Sequence, residues 1–259
     1  MIKFTQFNIM RSERYKRLKA LERQYPHDLA FLQSLPESTI ASALKAIPDS
    51  KSQIRQDILA LAMANFSHDG FFVEFGATDG VLNSNSNLLE KQFGWRGILA
   101  EPARGFHNSL KQNRSCHIET DCVWRASGET LMFTEPRDGS LSSLADFVEN
   151  DHLKKSRRKK PVSYEVQTIS LNDLLNKYNA PDYIDYLSVD TEGSELEILS
   201  SFDFDRRTIG VITVEHNFGS TRDGLNDLLS SNNFVQFGKD ISEYDDWYIH
   251  ADLVRKLGD

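Results

Sequence analysis

The sequence predicts an α/β fold, in which a mostly parallel sheet carries helices on both faces. From residue 71 onwards, short apolar runs typical of buried strands alternate with segments whose apolar residues recur at helical spacing. Strands that alternate with helices favour a parallel sheet, because each return to the same edge needs a crossover. The length of 259 residues suits one large domain with a small extension.

The predicted elements follow one another in a regular order. Residues 1–50 form an N-terminal helical extension cut by prolines, and residues 51–259 form the main domain, which begins with a helix at 54–66. Strands are expected at 71–75, 97–102, 117–124, 184–190, 210–216, 234–238 and 246–250. Helices are expected between them at 87–94, 106–113, 170–178, 194–202 and 223–233. No helix separates the last two strands, which predicts a hairpin at one edge of the sheet.

The overall composition excludes several classes of protein. The formal net charge of -8 and the pI of about 5.4 leave no generally basic footprint for nucleic acid. No apolar run reaches the roughly 20 residues of a membrane span, and the first residues lack the apolar core of a secretory signal. Two cysteines, Cys116 and Cys122, make no disulfide framework, so both are expected to be reduced. A cytoplasmic location follows as the default expectation.

One segment departs from this acidic character. Residues 151–161, DHLKKSRRKKP, contain six lysines and arginines. Blocks of like charge are usually mobile and solvated. The segment is therefore either a solvated loop or a lid that anchors an anionic acceptor.

The stretch FFVEFGATDG, residues 71–80, joins a buried strand to a tight polar turn. Ligands of doubly wound sheets bind outside the carboxyl ends of the strands, and Gly76 and Gly80 would let the backbone approach one closely. The pattern E-x-G-x-x-D-G places Glu74 and Asp79 beside the turn. These acids suit a ligand with hydroxyls and positive charge better than a pyrophosphate.

A second acid ends the next predicted strand. Glu101, in GILAEP, follows Gly80 by 21 residues, where an acid can accept hydrogen bonds from both ribose hydroxyls of an adenosine. The two motifs together predict an adenosine ligand with a cationic centre and no phosphates. S-adenosylmethionine fits this description, and NAD fits it less well.

The segments VEFGATDGVLNSNSNLLEKQFGWRGILAEP, LSVDTEGSELEIL and VITVEHNF occur in this order on the expected elements. In these motifs, and over roughly residues 55–250, the chain resembles the FkbM family of S-adenosylmethionine-dependent methyltransferases. The resemblance implies a class I methyltransferase (Rossmann-like) fold, whose seven-stranded sheet has an antiparallel last strand. It also implies methyl transfer, usually to a hydroxyl oxygen of a sugar or a natural product.

The motifs and the resemblance together assign cofactor contacts to eleven residues, all at or near the carboxyl ends of the first three predicted strands. They are Glu74, Gly76, Ala77, Asp79, Gly80, Asn85, Ser86, Glu101, Pro102, Asp121 and Cys122. Asp121 and Cys122 fall where adenine contacts usually lie in the family. The first 50 residues and the basic segment match nothing in it, which leaves acceptor recognition open.

Methyl transfer to a hydroxyl needs a base or a metal, because a hydroxyl is a poor nucleophile at neutral pH. Asp190 ends one predicted strand, and Glu215 and His216 end the next. If the chain bends there, the three side chains converge as candidate catalytic residues. They would also suit Mg²⁺ or Mn²⁺, while His216 alone could be the general base. Glu192 and Glu195 follow Asp190, and each is either a catalytic acid or a favourable charge at a helix N-terminus.

The sequence therefore predicts an S-adenosylmethionine-dependent O-methyltransferase that acts on a hydroxyl of a sugar, a glycan or a glycosylated metabolite. Two alternatives remain: an NAD-dependent oxidoreductase, and a non-catalytic Rossmann-like binding or scaffold protein. The expected partner is a small-molecule or glycan acceptor, with no nucleic acid. The N-terminal helices either cap the cleft or form a contact in a homo-oligomer, because their apolar stripe must be buried.

Overall fold

The computed structural model describes most of the chain. The described residues are Tyr15, Lys19 and the ranges 24–135, 143–144, 161–216, 219 and 221–257. The basic segment discussed above falls outside them, except for Pro161, so its prediction stays untested.

A seven-stranded sheet forms the centre of the molecule. In chain order its strands are β1 (Phe71–Phe75), β2 (Arg96–Ala100), β3 (His117–Glu119), β8 (Tyr183–Val189), β9 (Thr208–Glu215), β10 (Phe234–Phe237) and β11 (Asp245–His250). Their spatial order is β10-β11-β9-β8-β1-β2-β3. The chain moves outward from β1 to β3 and then returns to β8, so the order reverses between β1 and β8. β11 runs antiparallel to the other six strands of this sheet, as predicted, and it forms the expected hairpin with β10.

Helices cover both faces of this sheet. The described ones are α1 (24–34), α2 (Glu37–Ala46), α3 (Gln56–Met63), α4 (Asn87–Phe93), α5 (His107–Asn113), α6 (Leu171–Lys177), α7 (Glu195–Ser200), α8 (Arg222–Ser231) and α9 (Ala251–Leu257). A short 3₁₀ helix, Ile47–Asp49, lies between α2 and α3. The predicted α/β fold with a mostly parallel sheet is confirmed.

A second, four-stranded sheet was not predicted. It consists of β4 (Cys122–Trp124), β5 (Thr130–Glu135), β6 (Ser143–Leu144) and β7 (Val162–Ser170), in the order β4-β7-β5-β6. The strand expected at 117–124 is therefore wrong as a single element, because β3 and β4 belong to different sheets. Between them, Glu119 Oε1 accepts hydrogen bonds from the backbone N–H groups of Thr120 (2.9 Å) and Asp121 (3.1 Å). This turn lets β4 leave the main sheet and pair with β7.

The helical extension packs against one face of the main sheet. Phe31 of α1 is fully buried and meets the ring of Trp247 on β11 edge to face at 6.0 Å. Arg55 binds Asp28 through Nε, at 2.8 Å from Oδ1. The described part of the extension therefore shares its core with the main domain, while a domain boundary at residue 50 stays a prediction.

Both cysteines have free thiols, and burial raises the pKa of each to about 12. Among the described helices, none combines the length and the apolar character that crossing a membrane requires.

Candidate active site

Two adjoining cavities open at the carboxyl edge of the main sheet, beside the point where the strand order reverses. The first lies over β1, β2 and β4, and is bordered by Glu101, Pro102 and Phe133. The second lies over β8, β9 and the start of β11, and extends to α3. The two share five lining residues: Phe75, Gly76, Thr78, Asp190 and Glu192. A ligand in one cavity would therefore meet a ligand in the other at this shared border.

Gly76 makes the shared border possible. Its φ of +71° lies in the left-handed region, and a Cβ at this position would overlap the backbone carbonyl oxygen of Asp190. The N–H of Gly76 donates to Ala100 O at 3.1 Å. The glycine thus holds the turn after β1 against the ends of β2 and β8. Ala77 follows it and is buried beneath the turn.

Gly80 also has a positive φ, +77°, and packs on α5. A Cβ there would lie 2.6 Å from Cγ of Arg114, whose Nη1 donates to Gly80 O at 3.1 Å. Before it, Asp79 Oδ1 accepts hydrogen bonds from the N–H groups of Val81 (2.9 Å) and Leu82 (2.8 Å). Asp79 therefore shapes the turn, and it also lines the second cavity.

Glu74 organises the polar turn that precedes α4. Its carboxylate accepts hydrogen bonds from Ser84 Oγ at 3.0 Å, from Asn85 N at 2.8 Å, and from the hydroxyl of Ser86. Burial raises the pKa of Glu74, and the Arg114 guanidinium 4.0 Å away partly offsets this. The carboxylate borders the second cavity, but most of its hydrogen bonds are made with the protein.

Asn85 and Ser86 occupy different environments. Ser86 is fully buried and also accepts a hydrogen bond from Arg114 Nη2 at 2.9 Å, so it lies beneath the site. Asn85 lines the second cavity, and its Nδ2 donates to Ser188 Oγ at 3.0 Å. Its Oδ1 is buried without a hydrogen-bond partner in the described structure.

Glu101 lies at the end of β2 and borders the first cavity. Its Oε2 accepts a hydrogen bond from Thr78 N at 2.7 Å, and its Oε1 accepts one from Ala103 N at 2.8 Å. Each oxygen keeps a further lone pair for a ligand. Burial raises the pKa of Glu101 to about 7, although the two N–H groups favour the charged form.

The opposite wall of the first cavity is apolar. Cys122 and Val123 of β4 and Phe133 of β5 line it. Cys122, for which the family resemblance implies an adenine contact, is one of these lining residues. Asp121 is half-buried and does not border either cavity among the described residues. The cofactor roles assigned from the sequence stay predictions.

Three carboxylates cluster at the shared border. One oxygen each of Asp190, Glu192 and Glu215 lies within 4.8 Å of the others. Burial raises the pKa of Asp190, and burial together with the neighbouring Asp190 charge raises that of Glu215 well above its usual range. Two neighbouring carboxylates do not ionise independently, so the pair titrates as a unit and can accept a proton or bind a cation. Such hard oxygen ligands are the type that Mg²⁺ and Mn²⁺ prefer.

His216 is directed away from this cluster. Its Nε2 lies 3.0 Å from the backbone oxygen of Asp245 and 3.8 Å from Oδ1 of Asp246, which also binds Arg222 at 2.7 Å. Burial lowers the pKa of His216. The predicted convergence of His216 with Asp190 is therefore not observed. The bend occurs after β9, and it turns the imidazole towards β11.

The structure separates the two glutamates that follow Asp190. Glu192 joins the acidic cluster, whereas Glu195 accepts hydrogen bonds from the N–H groups of Thr191 (3.0 Å) and Gly193 (2.9 Å). Two other features of the site, β7 and Arg114, were absent from the sequence prediction. The alternation of polar and apolar residues in VSYEVQTIS could have revealed β7, and with it the wall that contains Phe133. Arg114 gave no signal, because its partners lie 24 or more residues away in the chain.

Known proteins resemble this chain in sequence and in structure. A family model described as "Methyltransferase FkbM domain" matches residues 74–249. No curated protein matches the sequence. Among solved structures, the chain is similar to a methyltransferase FkbM from Methylobacillus flagellatus KT, with 12% identity, a TM-score of 0.44 and coverage of 89% of this chain and 60% of that one. It is also similar to a precorrin-6y C5,15-methyltransferase from Geobacter metallireducens GS-15, with 14% identity, a TM-score of 0.38 and coverage of 70% and 71%.

Proposed function

The chain belongs to the FkbM methyltransferase family, and on that premise we propose that it transfers a methyl group from S-adenosylmethionine to a hydroxyl of a sugar, a glycan or a glycosylated metabolite. The observation that carries the proposal is the pair of cavities that meet at Gly76 and Asp190. Membership of a methyltransferase family favours this reading over a nicotinamide oxidoreductase or a scaffold.

The first cavity suits the adenosine part of the cofactor. Glu101 presents two carboxylate oxygens whose remaining lone pairs can accept hydrogen bonds from both ribose hydroxyls. The apolar wall of Val123 and Phe133 offers a surface on which an adenine ring can pack. The cationic centre of the cofactor would then lie towards Asp190 and Glu192, at the shared border.

The second cavity would hold the acceptor. Methyl transfer is an in-line displacement, so the hydroxyl oxygen must attack the methyl carbon from the side opposite the sulfur. An acceptor that enters over β8 and β9 approaches the shared border from that side. The protein then contributes orientation, which is worth about 7–11 kcal/mol in well-aligned reactions.

Proton removal from the acceptor falls to Asp190 and Glu215. Carboxylates with pKa values raised towards neutrality are effective bases at neutral pH. His216 is unsuited to this role in the observed geometry, because its ring lies against Asp245 rather than in the cavity. We therefore assign the general base to the carboxylate pair.

A divalent ion is a second candidate for activating the hydroxyl. Asp190, Glu192 and Glu215 would hold Mg²⁺ or Mn²⁺ through one oxygen each, since these atoms lie within 4.8 Å of one another. Such an ion, when bound, lowers the pKa of a coordinated hydroxyl. Calorimetric titration of the protein with Mg²⁺ and Mn²⁺ tests this, and a bound ion should be lost in Glu215→Gln.

The first experiment is a calorimetric titration with S-adenosylhomocysteine, using NADH as the control ligand. We expect S-adenosylhomocysteine to bind and NADH not to bind. In Glu101→Ala, the affinity should fall by about 1.5–3 kcal/mol for each charge-assisted hydrogen bond lost. Binding of NADH in place of S-adenosylhomocysteine, or equal affinity in wild type and Glu101→Ala, would contradict the proposal.

A further inference from the structure

The second cavity is strongly acidic. Among the described residues its lining contains six carboxylates and no lysine or arginine. The six are Glu74, Asp79, Asp190, Glu192, Glu215 and Asp245. An anionic acceptor would be repelled by such a surface, whereas a cationic one would be attracted.

The turn after β1 or the cofactor site accounts for four of these acids, and Glu215 also belongs to the proposed general-base pair. Glu74 lies beside the Arg114 guanidinium, and Asp79 accepts two backbone hydrogen bonds. Asp190 and Glu192 also border the first cavity, where the cationic centre of the cofactor is expected. Glu215 and Asp245 border only the second cavity, so the cofactor does not account for them.

Glu215 and Asp245 lie directly opposite each other in the antiparallel pairing of β9 and β11. Side chains at opposed positions project from the same face of a sheet, and like charges there are destabilising. Within the described part of the chain, neither carboxylate forms a salt bridge with a lysine or arginine. The fold therefore keeps two acids together without a protein cation between them.

The two acids differ in their hydrogen bonding. Asp245 is 5% exposed, and its Oδ2 accepts a hydrogen bond from Gln56 Nε2 at 2.8 Å. Glu215 Oε2 is buried and has no hydrogen-bond partner among the described atoms. A buried carboxylate oxygen without a donor is costly, so a ligand that supplies a charged donor here would gain affinity.

We propose that the acceptor carries an ammonium group close to its reacting hydroxyl, and that Glu215 and Asp245 bind this group. An amino sugar is the acceptor class that combines the two functions. An ammonium has three donors and no acceptor, so it can serve both carboxylates at once. The inference rests on the proposed methyl transfer, because it identifies the substrate class of the same site.

The test compares sugars that differ in one substituent. Methyl glucosaminide, methyl glucoside and methyl glucuronide are titrated into the protein saturated with S-adenosylhomocysteine, once with EDTA and once with Mg²⁺. We expect the amine to bind about ten- to a hundred-fold more tightly than the neutral sugar. The uronate should bind most weakly.

Two variants make the result specific. Asp245→Asn keeps an oxygen for Gln56 but removes the charge, and it should abolish most of the preference for the amine. Asp227→Asn makes the same change on an exposed position of α8 and should leave the preference intact. Both variants are first checked for unaltered S-adenosylhomocysteine affinity, which shows that the fold and the cofactor site survive.

The outcomes separate the two proposals. Failure of S-adenosylhomocysteine to bind contradicts the proposed function itself. If it binds, equal affinity for amine and neutral sugar, tighter binding of the uronate, or no binding of any of the three sugars overturns the assignment of the acidic pair. Tight Mg²⁺ binding that is lost in Asp245→Asn, with no preference for the amine, would assign the pair to a metal and also overturn it.

Discussion

The two cavities differ in how the protein satisfies their acids. In the first cavity, Glu101 receives one backbone N–H on each oxygen, one of them from Ala103, two residues further along the chain. In the second, Asp190 follows β8, Glu215 ends β9 and Asp245 begins β11, and none of the three forms a salt bridge with a lysine or arginine among the described residues. The first arrangement is complete before a ligand arrives. The second contains acids without a cationic partner in the protein. Such groups are typical of sites that bind a charged ligand or transfer a proton.

The largest expected effect concerns the carboxylate pair in the second cavity. Glu215→Gln should lower the rate of methyl transfer by about 10²–10⁴-fold, because it removes one member of the carboxylate pair that takes the proton. The affinity for S-adenosylhomocysteine should stay within a few-fold of wild type, since Glu215 does not border the first cavity. Single-turnover rates with radiolabelled cofactor, alongside calorimetry, measure the two quantities.

The control for this experiment is His216→Gln. Because the His216 ring lies outside the acidic cluster, this variant should change the pH dependence of the rate less than Glu215→Gln does. If His216→Gln removes the pH dependence of transfer while Glu215→Gln retains it, the imidazole is the base and the carboxylate assignment is wrong.

The border between the cavities should depend on Gly76. Gly76→Ala is expected to lower the free energy of unfolding by about 3 kcal/mol or more, since it adds backbone strain at positive φ and an overlap with Asp190 O. The matched control is Gly128→Ala, where φ is +80° and no atom lies within 4 Å of the added Cβ. That variant should lose only the strain, about 1 kcal/mol. Equal losses in urea denaturation would show that the close approach at Gly76 is unimportant.

The smallest expected effect concerns Glu101 and pH. Its pKa of about 7 in the folded protein lies above the usual value of 4.5, so the folded state keeps a proton between these values that the unfolded state has lost. Its contribution to stability is therefore fully present below pH 4.5 and decreases as pH rises towards 7, by up to about 3 kcal/mol. In Glu101→Gln this decrease should be absent.

Urea denaturation of wild type and Glu101→Gln between pH 4.5 and 8 measures this decrease, with Glu165→Gln, an exposed position on β7, as the control. A pH dependence in Glu101→Gln as steep as that of wild type would mean that Glu101 is well solvated, and the contrast between the two cavities would weaken.

Sequence patterns predict the main sheet, its hairpin and the turn around Gly76. These features depend on interactions between residues close in the chain, so they leave periodic or glycine signals within a short window. The same holds for Glu101, whose position at the end of β2 follows from the strand pattern. The alternation in β7 is also local in the sequence.

Which of the acids lie next to one another depends on tertiary contacts. The sequence does not distinguish Glu215 from His216 as the neighbour of Asp190. In the structure Glu215 lies beside Asp190, and the bend after β9 directs the imidazole of His216 towards β11. The pairing of Glu215 with Asp245 joins residues 30 positions apart. Arg114, which directly follows α5, likewise reaches the turn at Ser84. Such contacts depend on how strands and helices are placed in space. They therefore leave no pattern among neighbouring residues of a single sequence.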